Sequence, residues 1–165
     1  MKNEMLKAIK KAMQGEKDSV TLYESAARNA GAAEVQEFFE LRADEERRHF
    51  NWLLKYYQEV SSDLLPSEPA AELSEAREER SIFSESFIRR IGEDQFLFSA
   101  ISTALLLEKD SFEHYTQNAR IADQPQLKEF FELLAKWEKK HYDDLLQIQQ
   151  AAERHYWEIN SFEPF

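Results

Sequence analysis

The sequence predicts an all-α protein, a bundle of four long helices with a long crossover between the second and the third. Three observations carry that prediction. Gly and Pro number only three and four in 165 residues, while charged residues make up 32%, a composition suited to long helices. Apolar residues recur at helical spacing through most of the chain. The chain also repeats itself. A shift of 92 positions lays Glu16-Lys17-Asp18-Ser19 on Glu108-Lys109-Asp110-Ser111, Tyr23 on Tyr115, and Ala27-Arg28 on Ala119-Arg120. The same shift lays Glu37-Phe38-Phe39-Glu40-Leu41 on Glu129-Phe130-Phe131-Glu132-Leu133. The repeated unit is long enough for a helical hairpin and too long for a short solenoid turn.

Residues 1–165 are read as one domain: a first hairpin at 3–60, a crossover at 61–93, a second hairpin at 94–155 and an aromatic tail at 156–165. The first helix, about 3–30, carries Met5, Ile9, Ala12, Met13, Val20, Tyr23 and Ala27 along one stripe. Gly31 is expected to stop it. The second, about 33–60, turns Val35, Phe38, Phe39, His49, Leu53, Tyr56 and Tyr57 inward. The crossover opens with Ser61-Ser62-Asp63 and Pro66-Ser67-Glu68-Pro69, which break the helix. Within it, 72–80 is expected to form a short polar helix, and Ile82, Phe83, Phe87, Ile88 and Ile91 a short apolar face. An antiparallel hairpin would need far less chain, so the segment is read as running the length of the bundle. The third helix spans about 94–121. The fourth begins at Pro125, a favoured first-turn residue, and runs into the 150s. The tail, rich in aromatic residues, is expected to pack on the bundle or on a neighbouring subunit.

The formal net charge of −11 at pH 7 argues against nucleic acid and against anionic membrane surfaces as partners. The chain has no Cys, which excludes disulfides, thiolate-held zinc and iron–sulfur ligation. No apolar leader-like stretch and no long apolar run occur, so a cytoplasmic protein is expected.

Within the apolar stripes, glutamates stand where leucines would be expected: Glu16, Glu46, Glu108 and Glu138. Two of them open Glu-x-x-His segments, Glu45-Glu46-Arg47-Arg48-His49 and Trp137-Glu138-Lys139-Lys140-His141. Residues three apart on a helix share a face, so a carboxylate and an imidazole at that spacing can reach one ion. The spacing alone is a weak signal. Its place in the repeat makes it a strong one. Glu16 lies 15 residues before Gly31 and Glu46 15 after it, and Glu108 and Glu138 lie 15 either side of Asp123. Hairpins turning at those points bring all four carboxylates to one height. Four unpaired carboxylates in a core would be very costly. Two divalent ions held by Glu16, Glu46, His49, Glu108, Glu138 and His141 would cancel their charge, and oxygen-rich ligation suits iron or manganese better than structural zinc.

With Gly15-Glu16 followed by Tyr23, Glu45-Glu46-Arg47-Arg48-His49, and the mirrored set in the second half, the chain resembles the rubrerythrin-like branch of the ferritin-like di-iron carboxylate superfamily. The resemblance covers about 3–60 and 94–155. It implies a ferritin-like four-helix bundle holding two iron ions, with manganese or mixed occupancy as the alternative. Glu16 and Glu108 would each bind one ion, Glu46 and Glu138 would bridge, and His49 and His141 would bind one ion each. The implied activity is reduction of hydrogen peroxide or O₂ with electrons from a separate donor protein, in a homodimer. Ferroxidase or iron-storage action of the ferritin type is the alternative. Two departures stand out. Rubrerythrins carry four cysteines that hold a further iron, and none is present here. They also carry an extra glutamate one turn after the helix-three ligand, where this chain has Ser111, with Ser19 as its mate. Glu113 falls on a different face and does not replace it.

Tyr23 and Tyr115 face the same point, either bonding to the ligands or filling the core with a hydroxyl that finds any partner. Arg42, on the stripe of Glu46, is expected to steady a carboxylate or to reach outward to water. His114 and His155 lie off the stripe and are read as solvated, and the paired phenylalanines as core.

Overall fold

A computed structural model describes residues 2–75 and 81–160 of the chain. Five helices account for most of it: α1, Lys2–Asn29; α2, Ala33–Ser61; α3, Glu85–Glu93; α4, Gln95–Ile121; and α5, Pro125–Ile159. A 3-10 turn covers Ala71–Glu75. No strand occurs among the described residues, and the architecture is the all-α, ferritin-like bundle expected.

The four long helices begin and end within a residue or two of their expected limits, for local reasons. The Asp94 carboxylate accepts from the backbone N–H of Phe96 and Leu97 at 2.9 and 3.1 Å, a favourable start for α4. Pro125 lies in the first turn of α5, where its missing N–H costs nothing. Gly31 acts differently from expectation. The turn between α1 and α2 falls there, but neither Gly31 nor any other glycine has a positive φ. The chain leaves α1 at Asn29 and enters α2 through an extended Ala32. Among the described residues the one left-handed non-glycine residue is Asp63, φ 57°, just after α2; its carboxylate pairs with Lys2 at 2.6 Å.

Two apolar cores lie end to end. One joins Tyr23, Ala26, Val35, Phe39, Leu97, Ile101, Leu145 and Ile148. The other joins Ile9, Leu53, Tyr56, Tyr115, Phe130, Phe131 and Leu134. α1 and α5 therefore run from the second core to the first, while α2 and α4 run from the first to the second. With α2 and α4 pointing the same way, residues 62–94 must travel the whole length of the bundle, as the length of the crossover implied. α1 packs on α2, α4 on α5, and α1 on α4.

The crossover departs from its expected local structure. In place of a polar helix over 72–80 stands the 3-10 turn at 71–75, and the remaining residues of that expectation, 76–80, lie outside those described. Leu73 is completely buried, a gain of about 2 kcal/mol for one leucine, and its carbonyl accepts from Trp137 Nε1 at 2.8 Å. α3 is capped by Ser84, whose hydroxyl accepts from Phe87 N–H at 2.9 Å, and buries Phe87 and Ile91. Ile82, expected on that face, precedes the helix and is exposed. Of the aromatic tail, 156–159 continue α5. Tyr156 and Ile159 are half exposed, and 161–165 lie outside the described residues.

Candidate metal centre

Between the two apolar cores lies a layer of buried charge. Glu16 from α1, Glu46 and His49 from α2, Glu108 from α4, and Glu138 and His141 from α5 are each at most 1% exposed. All six residues expected at one point are brought there. They form two overlapping quartets, Glu16, Glu46, His49 and Glu138 on one side and Glu46, Glu108, Glu138 and His141 on the other. In each quartet one ligand atom per residue lies within 4.8 Å of every other. Glu46 and Glu138 belong to both.

Both imidazoles turn Nδ1 inward. His49 Nδ1 stands 2.9 Å from Glu46 Oε2 and 2.9 Å from Glu138 Oε1. His141 Nδ1 stands 2.8 Å from Glu46 Oε1 and 3.6 Å from Glu108 Oε2. His49 Nδ1 and Glu46 Oε2 are within hydrogen-bond reach of each other, but Glu46 Oε1, Glu138 Oε1 and both ring nitrogens of His141 are buried and make no hydrogen bond among the described residues. Lone pairs turned toward shared space, without a donor, are what cation binding requires and what an ordinary core avoids. Six donors in two quartets that share two carboxylates fit a di-metal site.

Electrostatics divides the carboxylates. Burial raises Glu16 well above the usual carboxylate range, and repulsion from Glu138 and Glu46 adds to it. Burial and the same two neighbours raise Glu108 likewise. Burial would raise Glu46 too, but His141 and His49 outweigh it and hold Glu46 well below that range. Both histidines are raised, since attraction to the carboxylates overcomes burial.

The tyrosines are tied across the repeat. The Tyr23 hydroxyl on α1 donates to Glu108 on α4, and the Tyr115 hydroxyl on α4 donates to Glu16 on α1. Each phenol is fully buried and, through burial first and its carboxylate neighbours second, is held strongly in its protonated form.

Outside the six lies a group of which periodicity singled out only Arg42. Glu45 Oε2 lies 3.1 Å from His141 Nε2. Arg42 Nη1 donates to Glu45 Oε2 at 2.8 Å, and Arg42 Nη2 to Asp144 Oδ2 at 2.6 Å. Arg42 thus steadies carboxylates rather than reaching water, although neither is one of the six. Burial opposes the charge on Glu45, but His141 and then Arg42 outweigh it, holding its pKa at about 2. On the other side, Trp52 stacks on His49 with ring centres 5.8 Å apart, and Trp137 meets the same ring edge-on at 5.6 Å. Beyond the place of Arg42 on the stripe, the advance sign of this network was the failure of the repeat: Glu45 maps onto Trp137, Arg42 onto Leu134, and Trp52 onto Asp144.

His114 and His155 are half-buried rather than solvated. His114 Nε2 lies 2.8 Å from the Ala8 carbonyl and joins α4 to α1. His155 Nε2 lies 3.7 Å from Glu93. Glu113 is exposed beside Lys109, far from the centre as its helical phase requires. Among the described residues no helix is long and apolar enough to cross a membrane.

No curated protein and no solved structure matches the chain. The Rubrerythrin family model does, over residues 7–149, a span that takes in α2 and α4 whole, most of α1 and α5, and every residue of the centre. By that match, and with a buried cluster of four carboxylates and two histidines that accords with it, the chain belongs to the rubrerythrin family.

Proposed function

We propose that the protein is a non-haem di-iron oxidoreductase that reduces hydrogen peroxide, with O₂ as a slower oxidant, using electrons from a separate donor protein. The observation that carries this reading is the sharing of Glu46 and Glu138 by both quartets. It would hold two cations side by side with four carboxylates to balance them. Bound there, two ferrous ions would supply the two electrons that, with two protons, convert one peroxide to two waters. The chain's own residues set the conditions. Glu46 and Glu138 face both positions, while Glu16 and Glu108 each face one. Tyr23 and Tyr115 keep a proton on the phenol oxygen at the outer carboxylates and fix how those carboxylates turn. The apolar cores above and below exclude bulk water, which strengthens each of these interactions.

Without cysteine, the chain has no thiolates for an iron–sulfur relay, so the donor is a separate redox protein. Action in the cytoplasm as a homodimer accords with this reading. Iron rather than manganese is part of the proposal, and metal analysis of protein purified without added metal tests it. A ferroxidase reading is the second candidate. Ser111, one turn beyond Glu108, offers no carboxylate to follow an ion that moves on oxidation.

Stopped-flow mixing of anaerobic, Fe²⁺-loaded protein with peroxide and, separately, with O₂ decides between them. The expected result is oxidation by peroxide at least ~10-fold faster, a barrier difference of about 1.4 kcal/mol. Equal or faster reaction with O₂, followed by release of iron into a mineral, overturns the peroxidase reading in favour of ferroxidase. Size-exclusion chromatography separates a dimer from a storage cage.

A further inference from the structure

The repeat makes the two quartets look interchangeable, and the surroundings make them different. On one side the outward nitrogen of His141, Nε2, lies 3.1 Å from the Glu45 carboxylate, an ion-pair distance without hydrogen-bond alignment as the side chains stand, so that a turn of the ring or of the carboxylate completes the bond. That carboxylate is held in turn by Arg42 at 2.8 Å. Arg42 is anchored to Asp144 at 2.6 Å, and Asp144 also receives Lys140. The four charges of this group, two of each sign, cancel. On the other side, the repeat partner of Glu45 is Trp137. His49 lies between Trp52 and Trp137, while of the two indoles His141 meets Trp137 alone, edge-on at 5.9 Å.

We propose that Glu45 is a positioning residue for His141, which makes the position formed by Glu46, Glu108, Glu138 and His141 the tighter of the two metal positions and the first to fill. The inference rests on the di-metal reading given above. A carboxylate accepting from Nε2–H fixes the tautomer that leaves Nδ1 free to bind. It also orients the ring and makes Nδ1 a better donor; loss of such a partner commonly weakens a metal site 10- to 100-fold. Indole rings around His49 supply contact and exclude water but offer no carboxylate to accept a proton from the imidazole. Arg42 keeps Glu45 in place. Its attachment to Asp144 on α5 spans the same seam between α2 and α5, so the clamp is set by the packing of the bundle rather than by one flexible side chain.

Cobalt(II) titration followed by calorimetry tests this without turnover. Two ions are bound by any di-metal centre in two steps, because the first repels the second, so the wild-type steps alone are not diagnostic. The comparison is between His49→Phe, which retains the position at His141, and His141→Phe, which retains the position at His49. Phe fills the ring's space and offers no ligand atom. The expected result is that His49→Phe holds its single ion about 10- to 100-fold more tightly than His141→Phe. Adding Glu45→Ala should erase that advantage in His49→Phe and leave His141→Phe unchanged. Glu45→Gln, which keeps an acceptor of the same shape, should restore part of it. Equal affinities in the two His variants, or an equal effect of Glu45→Ala on both, overturn the inference while leaving the di-metal reading intact. Failure of the wild-type protein to bind two ions per chain overturns that reading itself. Glu45 is about 20% exposed, and circular dichroism verifies that each variant keeps its helices.

Discussion

Glu46 and Glu138 each face both quartets, whereas Glu16 and Glu108 each face one. Removing a shared carboxylate therefore takes a donor from both positions and leaves any remaining cations undercompensated. Glu46→Ala and Glu138→Ala are each expected to reduce bound metal from two ions per chain to fewer than one, by elemental analysis of folded protein. Tyr115→Phe should keep both ions, because its hydroxyl touches Glu16 and not the shared space. Two ions retained by both Ala variants would show that the six residues do not form the centre. These six could be read in the sequence because each Glu interrupts an apolar stripe, a position at which a lone glutamate would be buried at high cost. Glu45 and Asp144 could not, and Arg42 only as a residue on the stripe of Glu46 with two open readings. In a chain with 32% charged residues a charge beside an apolar stripe looks like ordinary solvated surface, and only the tertiary seam between α2 and α5 turns them toward His141.

Helix ends were legible where their chemistry is local and obscure where it is not. Asp94 and Pro125 mark the starts of α4 and α5 by their own side chains. Gly31 marks the right place for the wrong reason, since no left-handed residue is needed there. α3 shows what sequence periodicity misses: its distance from α5 is set by a backbone approach. A Cβ on Gly92 would lie 2.9 Å from the Ala152 carbonyl oxygen, too close for backbone atoms to accommodate without moving the helix. Gly92→Ala is thus expected to destabilise by about 1–3 kcal/mol through overpacking, partly offset by up to about 1 kcal/mol of helix propensity. The net effect is a Tm lower by roughly 2–4 °C per kcal/mol. Gly31→Ala is the counterpart. Nothing lies within 4 Å of a Cβ there, and the backbone is not left-handed, so a gain of about 0.4–1 kcal/mol is expected from the less flexible unfolded chain. Thermal melts of the two variants should move in opposite directions; a Gly92→Ala protein as stable as wild type would mean that α3 does not dock this tightly.

At the scale of the molecule, the sequence revealed the equal height of the four carboxylates and the need for a crossover along the bundle. It did not reveal that α1 and α4 form the close inter-hairpin contact, because an internal repeat is equally compatible with other pairings. That contact matters for stability, since the polar layer separates the two apolar cores and must be balanced if the hairpins are to stay together. Chelation of bound metal should therefore lower Tm at neutral pH. The loss should also depend on pH, with a sign that the cluster determines. Glu16 and Glu108 have folded pKa values raised above the unfolded ones by burial and by Glu138 and Glu46. Groups raised in this way contribute stability below their unfolded pKa and lose it as pH rises through the folded value. His49 and His141, raised by the surrounding carboxylates against the opposing effect of burial, act in the same direction. Glu46, held well below the usual range by the histidines, loses its contribution only on strong acidification, below this window. Between pH 8 and pH 5, then, the chelator-treated protein should gain stability as pH falls, the reverse of the metal-loaded protein, whose ligands must be deprotonated to bind. A Glu16→Gln, Glu108→Gln double variant removes the two raised carboxylates, so its chelator-treated melts should vary less over the same range. If wild type and double variant show the same pH dependence under chelation, the outer glutamates do not carry the charge strain of the centre, and the stabilising role assigned to the metal pair fails with them.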